Sequence, residues 1–160
     1  MYLKKWLQDE LHGWRLIFWP TVLLIAFLLY SSIFLNILQA LGISMPHGQL
    51  LNPQSHWNEY VIMHFLFVSL IEDFAFRFVP LVIAVRLKRT WVLYSIIIIS
   101  SMTFGFIHGN LLNIMYQGVA GIVLSIIFLK SGGMNKKTFK PFLICIISHT
   151  SYNLLTAIVS

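Results

Sequence analysis

Five apolar stretches, each close to the length that crosses a bilayer as a helix, constrain this chain more than any motif in it. They run over about 16–41, 59–85, 91–108, 111–129 and 140–159. A helix rises ~1.5 Å per residue, so ~20 residues span the hydrocarbon core. Only 10% of the chain is charged and 58% is hydrophobic, against roughly 25% charged in soluble domains. A water-soluble fold of 160 residues could not cover that much apolar surface. Within lipid every backbone polar group must find its partner internally, so the expected fold is all-α: a polytopic membrane helical bundle of about five transmembrane helices. No internal repeat, low-complexity tract or second domain interrupts it, and residues 1–160 read as a single transmembrane domain.

Residues 1–15 precede the first run. Leu3, Trp6, Leu7, Leu11 and Trp14 recur at helical spacing, with Lys4, Lys5, Asp9 and Glu10 on other faces. That pattern predicts an N-terminal interfacial helix lying on the bilayer. The run from Leu16 to about Leu41 is too long for a secretory signal and no small-residue cleavage site follows it, so it is expected to remain as a helix. Pro20 is tolerable near its start. A loop is expected over 42–58, where Gly42, Pro46, Gly48 and Pro53 fall, and a tight turn at Gly109–Asn110.

The net charge of +6 does not indicate nucleic acid, because the basic residues stand in short clusters between apolar runs. Lys4, Lys5 and Arg15 precede the first helix. Arg86, Lys88 and Arg89 separate the second and third, and Lys130, Lys136, Lys137 and Lys140 separate the fourth and fifth. By the positive-inside rule the N-terminus is expected in the cytoplasm and the C-terminus outside. The remaining cation, Arg77, lies inside a predicted helix. The single cysteine, Cys145, rules out an internal disulfide and a multi-cysteine metal site; it is expected to be packing.

Charged side chains inside a bilayer cost ~2.5–3.5 kcal/mol each even on the gentlest scale. The second helix nevertheless reads Ser69-Leu-Ile-Glu72-Asp73-Phe-Ala-Phe-Arg77. Asp73 and Arg77 are four apart and can pair. Glu72 points about 100° away from Asp73 and has no cation beside it on the helix, which suits a general base. The third helix ends Phe104-Gly-Phe-Ile-His108, with Ser101, Gly105 and Gly109 forming a small-residue stripe that permits close helix approach. The fifth carries His149 and Asn153 one turn apart, on a line with Cys145. From the expected cytoplasmic ends, Glu72 lies ~20 Å deep, His108 ~26 Å and His149 ~14 Å. Three helices thus bring polar groups into one central slab. His64 is read as a helix–helix contact.

These residues resemble the motifs of the CAAX-protease and bacteriocin-processing (Abi, or type II CAAX endopeptidase) family. Its Glu-Glu-x-x-x-Arg is matched by Glu72-Asp73-Phe-Ala-Phe-Arg77, its Phe-x-x-x-His by Phe104 to His108, and its His-x-x-x-Asn by His149 to Asn153. The resemblance covers about residues 60–160. Two features depart from the family pattern: Asp73 replaces the second glutamate, and the chain is shorter than the many members with about eight helices. The resemblance implies a glutamic-type intramembrane endopeptidase in a prokaryotic cytoplasmic membrane, acting on a membrane-anchored protein or peptide. In that reading Glu72 and His108 activate a water, His149 and Asn153 stabilise the oxyanion, and Asp73, Arg77 and Phe104 support them. No cofactor is expected. Two alternatives stay open: zinc held by Glu72, His108 and His149, a ligand set known from zinc hydrolases, and a non-catalytic membrane binding protein such as a bacteriocin-immunity factor.

Overall fold

The structure, a computed structural model, describes residues 2–43, 59–109 and 111–159. Residues 44–58 of the expected loop, and Asn110 of the expected turn, lie outside the described residues. The described chain is helical with no strand. Helix α1 covers Tyr2–Gln8 and α2 covers Arg15–Ala40. A long rod follows: α3 (Glu59–Asp73), a π-turn (Phe74–Phe78) and α4 (Val79–Arg86). Then come α5 (Thr90–Ile107) and a second rod made of α6 (Leu111–Asn113), a π-turn (Ile114–Gly118) and α7 (Val119–Lys130). A 3₁₀ turn (Gly133–Asn135) leads to α8 (Phe139–Val159).

Among the described residues, α2, α5 and the rod Leu111–Lys130 are long and apolar enough to cross a membrane. The other two expected spans are also helical, but they are the ones that carry the polar residues: Glu72, Asp73 and Arg77 in the α3–α4 rod, and Lys140, His149 and Asn153 in α8. Helix α8 packs between α3 and α7, and α5 packs against α7 and its π-turn. Helix α2 lies outermost, with 17% of its membrane window buried against 44% for Leu111–Lys130.

One π-turn stands beside a proline and the other at a close contact between helices. Pro80 has no N–H for the carbonyl four residues earlier, and its ring would crowd that carbonyl; the wider turn Phe74–Phe78 lies directly before it. The second turn meets α5 at Gly105. A Cβ there would stand 2.7 Å from the Asn113 carbonyl oxygen and the Ile114 Cα, and 2.8 Å from the Gly118 nitrogen. The small-residue stripe of α5 therefore admits backbone, not side chains. The Met115 carbonyl in this turn accepts a hydrogen bond from the Tyr30 hydroxyl of α2 at 2.7 Å.

The N-terminal segment differs from the single helix expected over 1–15. It is helical only over Tyr2–Gln8. Beyond that, tertiary bonds outweigh local propensity. The Lys130 amine donates to the carbonyls of Trp6 and Asp9 and stacks over the Trp6 ring. The Leu11 N–H donates to the Lys130 carbonyl. Glu10 accepts from Lys137 at 2.9 Å and from Lys140 and Asn135 at 3.1 Å. Gly13, at φ +55°, turns the chain into α2. Leu7 and Leu11 are buried in the protein, whereas Leu3 and Trp6 stay exposed.

Candidate active site

The site grows from one helical segment. Ser69, Glu72, Asp73 and Arg77 follow one another through the end of α3 and the π-turn. The side chains of Asp73 and Arg77 are 0% and 1% exposed and form an ion pair at 3.4 Å. The Arg77 guanidinium lies 3.8 Å from the centroid of the Phe104 ring, a cation–π contact that strengthens when desolvated. Phe104 is fully buried and also meets the rings of His108, at 4.5 Å, and His149, at 6.0 Å. It is the apolar hub on which the charged groups stand.

His108 closes α5. Its backbone leaves the helix there (φ −82°, ψ 7°), and Gly109 follows at φ +141°, a conformation open to glycine. The His108 carbonyl, stranded at the helix end, accepts from Asn113 Nδ2 at 2.9 Å. Its ring Nδ1 lies 2.7 Å from the Phe104 carbonyl oxygen. A carbonyl only accepts, so Nδ1 carries the proton and Nε2 faces outward. That Nε2 lies 3.4 Å from Glu72 Oε1.

His149 approaches from α8. Its Nδ1 lies 3.2 Å from Asp73 Oδ1 and its Nε2 lies 3.5 Å from Glu72 Oε2. The two oxygens of Glu72 therefore face one imidazole each, and each imidazole is held from behind by a protein oxygen. Asn153, one turn further along α8, points its amide at Ser69 Oγ, 3.4 Å away. The cluster is closed on the Asp73–Arg77 side and partly open at Glu72 and His108, whose side chains are 19% and 28% exposed.

The structure thus brings together Glu72, His108, His149, Asp73, Arg77, Phe104 and Asn153. His64 is exposed beside Phe65 and takes no part. Cys145 is buried against the Leu124 carbonyl. Among the described residues no group of three His, Cys, Asp or Glu side chains is arranged to hold a metal ion. Ser69 and Asn113 were not singled out from the sequence. Ser69 stands three residues before Glu72, a spacing that faces it to the same side. Asn113 had no signal short of the fold.

The chain matches the family described as type II CAAX prenyl endopeptidase Rce1-like over residues 54–155. That match covers more than half of the chain and contains every residue of the cluster. The chain belongs to this family. It is therefore a membrane protease of the Rce1-like group, a hydrolase whose substrate is a protein or peptide in a membrane. No curated protein and no solved structure matches it individually. Helices α1 and α2 lie before the matched residues.

Proposed function

We propose that this protein is a glutamic-type intramembrane endopeptidase whose general base is Glu72. The observation that carries the reading is the placement of the Glu72 carboxylate between two Nε2 atoms, of His108 at 3.4 Å and His149 at 3.5 Å. Asp73 and Glu72 against Arg77 leave one uncompensated negative charge. A buried cluster disfavours that, and a proton on His149, which faces both Glu72 and Asp73, compensates it.

A water at Glu72 gives its proton to the carboxylate as its oxygen attacks the scissile carbonyl. His108, with Nδ1–H fixed on the Phe104 carbonyl, holds the water through Nε2. His149, as an imidazolium with Nδ1–H on Asp73 and Nε2–H free to donate, and Asn153, through its amide N–H, donate to the developing oxyanion. Each such donor is worth ~2.7–4 kcal/mol of barrier. Glu72 then returns the proton to the leaving amine, and the peptide bond is broken with one water consumed. Distances of 3.2–3.5 Å are loose for catalytic hydrogen bonds, as in many resting sites that tighten around substrate.

The test compares membrane-protein termini in cells of the source organism carrying wild-type protein or Glu72→Gln at equal abundance. A peptide or tail cut only in the wild type supports the proposal and names the substrate. Matching termini, with the cellular phenotype kept by the mutant, would replace it with the binding or immunity reading. No metal takes part in this mechanism; turnover that persists in strong chelator, with no zinc by elemental analysis, is the expected outcome.

A further inference from the structure

We propose that Tyr30 of α2 is a positioning residue for His108, acting through the π-turn Ile114–Gly118 on which the end of α5 is seated. This rests on the reading of His108 as the group that holds the attacking water. Helix α2 lies before the matched residues, so Tyr30 belongs to none of the motifs that build the site.

The path from Tyr30 to His108 is short. A π-turn breaks the i→i+4 ladder, and in lipid the carbonyls it displaces need partners within the protein. The Tyr30 hydroxyl donates to one carbonyl of this turn, that of Met115, at 2.7 Å. The turn begins on Asn113, which is buried and whose Nδ2 donates to the His108 carbonyl at 2.9 Å. Nor can the turn slide along α5. A Cβ on Gly105 would stand 2.7 Å from the Asn113 carbonyl oxygen, and one on Gly118 would stand 3.2 Å from the Ser101 carbonyl oxygen. Backbone rests on backbone at both ends of the turn, so a displaced turn carries the end of α5, and His108, with it.

The next residue of the turn is braced from the other side. The Tyr116 hydroxyl accepts from the Tyr152 hydroxyl of α8 at 2.9 Å, and Tyr152 directly precedes Asn153. The Phe27 ring of α2 lies 5.0 Å from the Tyr152 ring and 6.1 Å from that of Tyr116. Helix α2 has only 17% of its membrane window buried, yet two of its buried residues, Phe27 and Ser31, stand within three positions of Tyr30. Its inward contact is thus concentrated at the turn that carries Asn113.

The test uses the full-length protein in detergent and diethyl pyrocarbonate, which carbethoxylates neutral imidazoles, with each histidine followed by peptide mass spectrometry. Tyr30→Phe removes one hydroxyl and keeps the ring. His108 is expected to react at least ~3-fold faster in Tyr30→Phe than in the wild type, because a loosened turn opens the site locally. Exposed His64 serves as the unchanged reference, and the thermal midpoint should hold. Thr21→Val removes an α2 hydroxyl bonded within its own helix, to the Ile17 carbonyl, and should leave His108 at the wild-type rate. An unchanged His108 rate in Tyr30→Phe overturns the proposal. So does a rise shared by buried His149, which Asp73 holds, since that would mean general loosening. On a peptide cut in a Glu72-dependent way, Tyr30→Phe should lower kcat ~10-fold with KM little changed, as small misplacements of catalytic groups do. Full activity in Tyr30→Phe beside an inactive Glu72→Gln overturns the positioning role and leaves the base in place. Carbethoxylation needs no turnover, so the link from Tyr30 to His108 stands or falls separately from the role of Glu72.

Discussion

Two charge clusters in this molecule are built in opposite ways. Around Glu10, at the basic end, every contact is short and complementary: one carboxylate against two lysines and an asparagine at 2.9–3.1 Å. Burial pushes the Glu10 carboxyl up, but the hydrogen bonds from Lys137, Asn135 and Lys140 outweigh it and hold its pKa down at about 2. Around Glu72 the contacts are longer and the account is left open. Asp73 Oδ2 and both terminal nitrogens of Arg77 have no hydrogen-bond partner. The Glu10 cluster is saturated and holds structure, whereas the open edge of the other cluster, at Glu72 and His108, is where a water and a substrate can enter. Buried polar groups are otherwise almost always satisfied, and the sealed Asp73–Arg77 pair is held by its own ion contact at 3.4 Å and by the Phe104 ring.

The contrast can be broken most sharply at Glu72. Glu72→Gln keeps the shape and removes the base, so cleavage should fall by ~10²–10⁴-fold with the thermal midpoint unchanged. A large drop in midpoint would make Glu72 a structural residue like Glu10. Asn153→Ala should slow turnover on the order of 100-fold, read as kcat on a purified substrate, with Ser69→Ala following in the same direction by a smaller factor.

Gly105→Ala tests the scaffold beneath the site. Its Cβ would meet backbone at 2.7 Å, and neither helix can yield without moving His108. A loss of ~1–3 kcal/mol of stability is expected in denaturant titration in detergent, together with lost activity. A neutral result would show that the α5–π-turn contact does not fix the site.

The smallest effects belong to the basic end. Glu10→Gln should leave cleavage within about twofold while exposing residues 9–14 to limited proteolysis. Acid should do the same to the wild type. The folded carboxyl titrates at about 2 against an ordinary value of 4.5, so its contribution is complete above pH ~4.5 and fades as pH falls toward 2. Protection of that segment that is independent of pH across this window would remove Glu10 as the anchor.

Much of this was legible in the residues alone. The helices were, because apolar runs of bilayer length leave the backbone no other way to satisfy itself. The Asp73–Arg77 pair was, because four residues bring two side chains together on any helix. The length of α1 was not, since Lys130, and the Lys137 and Lys140 partners of Glu10, act on this segment from more than a hundred residues away. The depths of ~20, ~26 and ~14 Å read along straight helices were too coarse to show that Glu72 lies within 3.5 Å of both His108 and His149.

The sequence by itself determined that this is an all-helical membrane protein with a costly polar group on each of three helices. Local spacing and transfer free energy are properties of the chain and need no fold to be read. Only the tertiary structure decided that Glu72 stands between two histidines, that Asp73 holds one of them from behind, and that Ser69 turns toward Asn153. Those relations depend on the tilt and register of helices packed through Gly105 and two π-turns, and contacts between distant segments leave no periodic trace along a chain.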